Sequence, residues 1–163
     1  MNLSNVLDVP LPEFQPQPTI TTTFSKFLEN KHGERGHNLY IIWHGRQALY
    51  VGIARQHIWS RWFNERKSHM RFIQKYSGTR EGGKWIGESP IGEVIANNFP
   101  KSLKWKVELR HYTTQSFNPD NLELTEKRLI HDLQPLFNTT YHTSPLTIQQ
   151  KKLLERLTNA RNF

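Results

Sequence analysis

Two short apolar runs, NLYIIW at 38–43 and ALYVGI at 48–53, flank a polar turn that contains Gly45. Runs of this length, rich in branched and aromatic residues and joined through a glycine, predict a β-hairpin. A third segment, KWKVELRHY at 104–112, alternates Trp105, Val107 and Leu109 with Lys104, Lys106, Glu108 and Arg110, the period of a half-buried strand. Helical spacing accounts for much of the rest. Phe24, Phe27 and Leu28 fall at i, i+3 and i+4 of a short helix that Thr23 can cap and that runs through Asn30. Ile58, Trp59, Trp62 and Phe63 form a stripe on a helix from about His57. Ser89-Pro90 opens a helix ending near Asn97 or Asn98, and Asn118-Pro119 opens one that Pro135 stops. Ser144-Pro145 opens the last, with Leu146, Ile148, Leu153, Leu154 and Leu157 as its apolar face. The Gly-rich YSGTREGGKWIGES reads as a loop, and DVPLPEFQPQP at 8–18 holds four prolines without periodicity, an extended lead-in. The pattern is α+β: a small, largely antiparallel sheet with helices.

The hairpin register decides where its tyrosines point. With a three-residue loop centred on Gly45, Leu39 faces Val51, Ile41 faces Leu49, and Tyr40 faces Tyr50. One side is then aliphatic and the other carries both phenols; a one-residue slip would turn each side chain to the opposite face. A cross-strand aromatic pair is an ordinary way to stabilise a sheet, but buried tyrosine hydroxyls need polar partners. The NPDNLELTEKRLIHDLQP helix offers one. Leu122, Leu129, Ile130 and Leu133 lie at i, i+7, i+8 and i+11, and Glu126 takes the i+4 place in their stripe. A carboxylate there is paired, protonated, bound to a cation or bent to water, because an unpaired buried charge costs several kcal/mol. Arg61, between Ile58 and Trp62, poses the same question with opposite sign; its bland alternative is a salt bridge with Glu65.

Charge narrows the choice. The 163 residues carry 22 Lys and Arg against 14 Asp and Glu, a formal charge of +8. Residues 44–84 hold 9 basic and 2 acidic side chains, a net of +7, so nearly all the excess lies in one quarter of the chain. That concentration suits a phosphate backbone, and a solvated basic surface is the alternative. Aromatic residues reach 12%, with 5 Trp, which argues against a wholly disordered chain. There is no Cys, so disulfides, thiolate nucleophiles and Cys-ligated zinc are excluded. The eight His show no pair at ligand spacing. No apolar run approaches a membrane span and the N-terminus has no signal-like core; a soluble, cytoplasmic protein is expected. Two tyrosines, an arginine and a carboxylate on a basic domain suit phosphodiester cleavage. The carboxylate would hold a hard cation, the arginine would neutralise developing charge, and a phenol would position or deprotonate water.

NLYIIWHGRQALYVGIARQHIWSRW at 38–62 resembles the opening of the GIY-YIG endonucleases. LYIIW stands at the first motif, with Asn38-Leu39 for Gly-Ile, and LYVG is close to the second; Arg61, nine residues after Gly52, matches the helix arginine. Downstream, ELTEKRLIHDLQPLFN at 123–138 is similar to the later signature of a helical glutamate, a proline and an asparagine. The resemblance spans residues 38–138 and implies a three-stranded antiparallel sheet flanked by helices. It implies Tyr40, Tyr50, Arg61 and Glu126 as catalytic residues, Glu126 as ligand of one Mg²⁺ or Mn²⁺, and Gly52 and Asn138 as support. Tyr40 is the better candidate for contacting the nucleophilic water. Some members carry a histidine one turn beyond the arginine; here Glu65 stands there, and His69 lies two turns on.

The expected organisation is a lead-in at 1–22, a nuclease domain at 23–143 with a basic insert at about 66–100, and a C-terminal helix at 144–163. DNA is the expected partner, contacted by Arg55, Arg66, Lys67, Arg71, Lys75, Arg80 and Lys84. Cutting both strands would need two copies, as in a homodimer, or two binding events. The alternatives are a non-catalytic nucleic-acid-binding module on the same fold and a basic domain that docks on an acidic protein.

Overall fold

The computed structural model describes residues 18–30, 37–54, 58, 61–62, 90–112, 120–138 and 144–160. In chain order they form β1 (Ile20–Thr23), α1 (Phe24–Glu29), β2 (Leu39–His44), β3 (Gln47–Ile53), α2 (Pro90–Asn97), a 3₁₀ turn (Lys101–Lys104), β4 (Lys106–Arg110), α3 (Asp120–Leu133) and α4 (Ile148–Asn159). Ile58, Arg61 and Trp62 lie on helical backbone between β3 and α2. The architecture is α+β.

The sheet has four strands in the order β1-β4-β2-β3, all antiparallel, rather than the three expected. The added strand ends the segment assigned to the lead-in. Ile20 pairs with Leu109 and Thr23 with Lys106. Its ITTT sequence is β-branched throughout, which favours extended backbone, but four residues after a proline-rich stretch are too few to show a period.

The hairpin also departs from the expected register. The turn has two residues, Gly45 and Arg46, with Gly45 at φ 57°, in the region glycine enters most readily. His44 pairs with Gln47 and Trp43 with Ala48, but Ile42 pairs with Tyr50, so Leu49 is an extra residue in β3. This β-bulge undoes the slip that the shorter turn introduces. Beyond it Ile41 faces Val51 and Tyr40 faces Gly52, and both tyrosines remain on one side of the sheet.

That side carries the larger core. Tyr40, Ile42, Leu49, Val107 and Leu109 pack with Phe24 and Phe27 of α1, with Ile58 and Trp62 from between β3 and α2, with Ile91 and Ile95 of α2, and with Leu157 of α4. On the opposite side Leu39, Ile41, Ala48 and Val51 lie with Ile130 and the flanking Leu129 and Leu133 of α3. Trp62 and Trp105 are buried and Trp43 is half-buried; Trp59 and Trp85 lie outside the described residues.

The helix boundaries follow from their caps. Thr23 Oγ1 accepts from the Lys26 amide at 3.2 Å and starts α1. Gln134 ends α3 at φ 46°, directly before Pro135. The last helix starts at Ile148, later than Ser144-Pro145 suggested. Thr147 Oγ1 accepts from the Gln150 amide at 3.1 Å, and Gln150 Oε1 accepts from the Thr147 amide at 2.9 Å. This reciprocal capping box leaves Ile148, assigned above to the apolar face, 74% exposed. Leu153, Leu154 and Leu157 still turn inward. Among the described residues, no helix is long and apolar enough to cross a membrane.

Candidate active site

The site begins with a space in β3. Tyr40 stands opposite Gly52, and its ring lies across that glycine: a Cβ at position 52 would overlap Tyr40 Cζ and Oη. Any other residue there would push the phenol away. Tyr50 lies diagonally beside Tyr40, with ring centroids 6.1 Å apart and planes 30° from each other. Trp62 meets Tyr40 edge to face at 5.5 Å and reaches Phe24 at 5.5 Å and Phe27 at 5.3 Å. Tyr40 is fully buried and Tyr50 partly so. Its register with Gly52 and the wall formed by Trp62 thus hold the first phenol in one place.

Arg61 precedes Trp62 and is half-buried. Its guanidinium donates a hydrogen bond to the Tyr40 phenol. Glu126, half-buried on α3, acts electrostatically on both tyrosines, and Arg61 acts on all three partners. Four residues from three regions of the chain therefore share one electrostatic environment. Burial raises the Tyr40 pKa well above its ordinary value; Tyr50 and Glu126 raise it further, while the charge and hydrogen bond of Arg61 oppose the rise. Burial likewise raises Tyr50, opposed by Arg61 and aided by Glu126. The Glu126 carboxyl is raised by its own burial and by Glu123, against Lys127 and Arg61. Both phenols are consequently neutral at pH 7, with one cation poised against the more deeply buried of them.

Asn138 works from the other direction. β3 is an edge strand, and the turn after α3 covers its free side. The Leu136 amide donates to Ala48 O at 3.2 Å and the Phe137 amide to Leu49 O at 2.8 Å. Asn138 then replaces a peptide group: Nδ2 donates to Val51 O and Oδ1 accepts from the Val51 amide, both at 2.9 Å. The clasp lies between Tyr50 and Gly52 and fixes the strand that carries them.

Among the described residues, no group of three or more His, Cys, Asp or Glu could hold a metal ion. Glu126 offers a single carboxylate. That donor set fits Mg²⁺, which keeps several waters and is often bound through one or two carboxylates together with substrate phosphate oxygens.

Arg55, Arg66, Lys67, Arg71, Lys75, Arg80 and Lys84, with Glu65 and His69, lie outside the described residues. Sequence reasoning placed Trp62 in the core stripe but missed its contact with Tyr40; its position beside Arg61 was the available signal. No protein-family model matches the chain, and comparison with curated proteins and with solved structures finds no significant match.

Proposed function

We propose that this chain is a divalent-metal-dependent DNA endonuclease that hydrolyses phosphodiester bonds on a GIY-YIG-like domain, with Tyr40, Tyr50, Arg61 and Glu126 as its catalytic residues. The observation that carries this reading is their convergence around a tyrosine that rests on Gly52 and is hydrogen-bonded by an arginine. In hydrolysis the water oxygen bonds to phosphorus, the ester oxygen opposite departs, and negative charge grows on the non-bridging oxygens. Arg61 supplies a fixed cation for that charge, an interaction worth most in a site shielded from water. Its existing bond to Tyr40 holds the guanidinium at the phenol. Tyr40, neutral in the free protein, orients the attacking water by hydrogen bonding, and Tyr50 stands beside it as a second hydroxyl. Glu126 would hold Mg²⁺ or Mn²⁺, which when bound would polarise the phosphate and favour ionised water.

The test is incubation of the protein with supercoiled, linear and branched DNA, with Mg²⁺ or Mn²⁺ and with EDTA. Cleavage that requires the metal and disappears in Glu126→Ala, while DNA binding persists, is the expected result. Unchanged cleavage by Glu126→Ala would refute the site. DNA binding without cleavage under any of these conditions would instead favour the non-catalytic nucleic-acid-binding module.

A further inference from the structure

A second cationic surface lies beside the turn end of the hairpin, and its lysines and arginine come from outside the basic segment at 44–84. Lys101 and Lys104 begin and end the 3₁₀ turn. Residues i and i+3 eclipse in such a turn, so both lysines leave from one side. They are exposed, whereas Ser102 between them is buried and donates to Ile95 O at 2.8 Å. Trp105 follows, and its ring meets the His44 ring edge to face at 5.9 Å. Arg156, exposed on α4, adds its positive charge to the surroundings of His44. Among the described residues, ion pairs join Glu108 to Arg110 and Asp132 to Arg128 and His131, and none neutralises Lys101, Lys104 or Arg156. The His44 pKa is lowered by burial first and by Arg156 second, as expected in a region short of anions.

We infer that Lys101, Lys104, His44 and Arg156 form a second phosphate-backbone contact, one that grips the DNA duplex to one side of the cleaved bond. The inference rests on the nuclease reading above. His44 shares the strand and face of Tyr40 and lies four residues from it, about 13 Å at strand rise. At that separation this surface meets a phosphate other than the one cleaved. Trp105 is buried and serves as the wall behind His44, not as a base-stacking platform. Uncompensated cations without an exposed aromatic ring recognise backbone charge and not sequence.

The full-length protein, its K101A/K104A/R156A variant and K106A as control test the inference. Lys106 is exposed, but strand alternation puts it on the opposite face, with Glu108 and Arg110. Duplex binding is measured across a NaCl series. The triple variant is expected to lower the slope of log affinity against log salt by about 2 to 3, near one unit per lost phosphate contact. K106A is expected to keep the wild-type slope and to cleave within about twofold of wild type. Thermal melting checks that each variant is folded. In the wild type, the His44 ring titration followed by NMR should move to higher pH on adding DNA, as an anion arrives beside it. A wild-type slope in the triple variant overturns the inference while leaving the nuclease reading intact. Loss of poly-glutamate binding with DNA binding unchanged would assign the surface to an acidic peptide and overturns it too. Failure of the wild-type protein to bind DNA at all would remove the nuclease reading itself.

Discussion

Tyr40 shows how one missing side chain controls a site. Its ring occupies the volume that a Cβ at Gly52 would need, so Gly52→Ala should destabilise the protein by about 1–3 kcal/mol, the usual range for overpacking. The same substitution in a Tyr40→Leu background should cost much less, because the colliding atoms are gone. Chemical denaturation of the four proteins in this cycle gives the coupling; purely additive costs would refute the close approach. Arg61 makes a prediction of its own. Arg61→Ala removes the cation that opposes the upward shift of Tyr40, so the phenol should ionise at still higher pH in an ultraviolet titration. Turnover should fall by about 10²–10³, the scale of a lost transition-state charge partner. Activity within a few-fold of wild type would end the assignment.

Glu126 gives a pH dependence with a definite sign. Burial raises its pKa, so the folded protein holds that proton more tightly than the unfolded chain does. The resulting penalty is absent below the ordinary glutamate pKa and grows as pH rises through the folded value. Glu126→Gln should therefore raise the Tm at neutral pH, with the gain vanishing in acid. A gain independent of pH would show that charge burial is not its source.

At the scale of elements, the determining feature is the edge of β3. An uncovered edge strand exposes unpaired backbone groups, and the turn after α3 covers this one with two amides and the Asn138 side chain. Asn138→Ala removes a donor and an acceptor together, and should cost about 1–3 kcal/mol with an unchanged denaturant m-value. A loss below about 0.5 kcal/mol would mean that the clasp is dispensable. The bulge at Leu49 is the other device. The apolar run ALYVGI was enough to predict a strand, but the bulge depends on how turn length, glycine geometry and the partner strand fit together. A two-residue turn alone would have separated Tyr40 from Tyr50, and the extra residue restores their common face. The capping box at Thr147 was equally written in the chain, as Thr and Gln three residues apart, yet Ser144-Pro145 offered a competing start that tertiary packing declined.

For the whole molecule, the basic segment at 44–84 begins within the candidate site, at Tyr50, Gly52 and Arg61, and continues into the insert. Removing Arg71, Lys75, Arg80 and Lys84 together should flatten the salt dependence of DNA binding, and an unchanged slope would mean that the insert does not touch phosphate. This prediction rests on charge alone, since those positions lie outside the described residues.

The sequence by itself determined the α+β class, the hairpin, the caps of α1 and the end of α2, because each depends on near neighbours and a short period. It also marked Tyr40, Tyr50, Arg61 and Glu126, since polar residues in apolar patterns stand out without any knowledge of the fold, while Gly52 was implied by the family resemblance alone. Only the tertiary structure decided the fourth strand, whose four residues acquire meaning by pairing with β4. It alone set the hairpin register, the approach of Arg61 to Tyr40 and the clasp of Asn138 on Val51. These depend on contacts between residues up to 87 positions apart, and local pattern has no term for such pairs. Packing chooses among locally acceptable registers by what the whole sheet can bury.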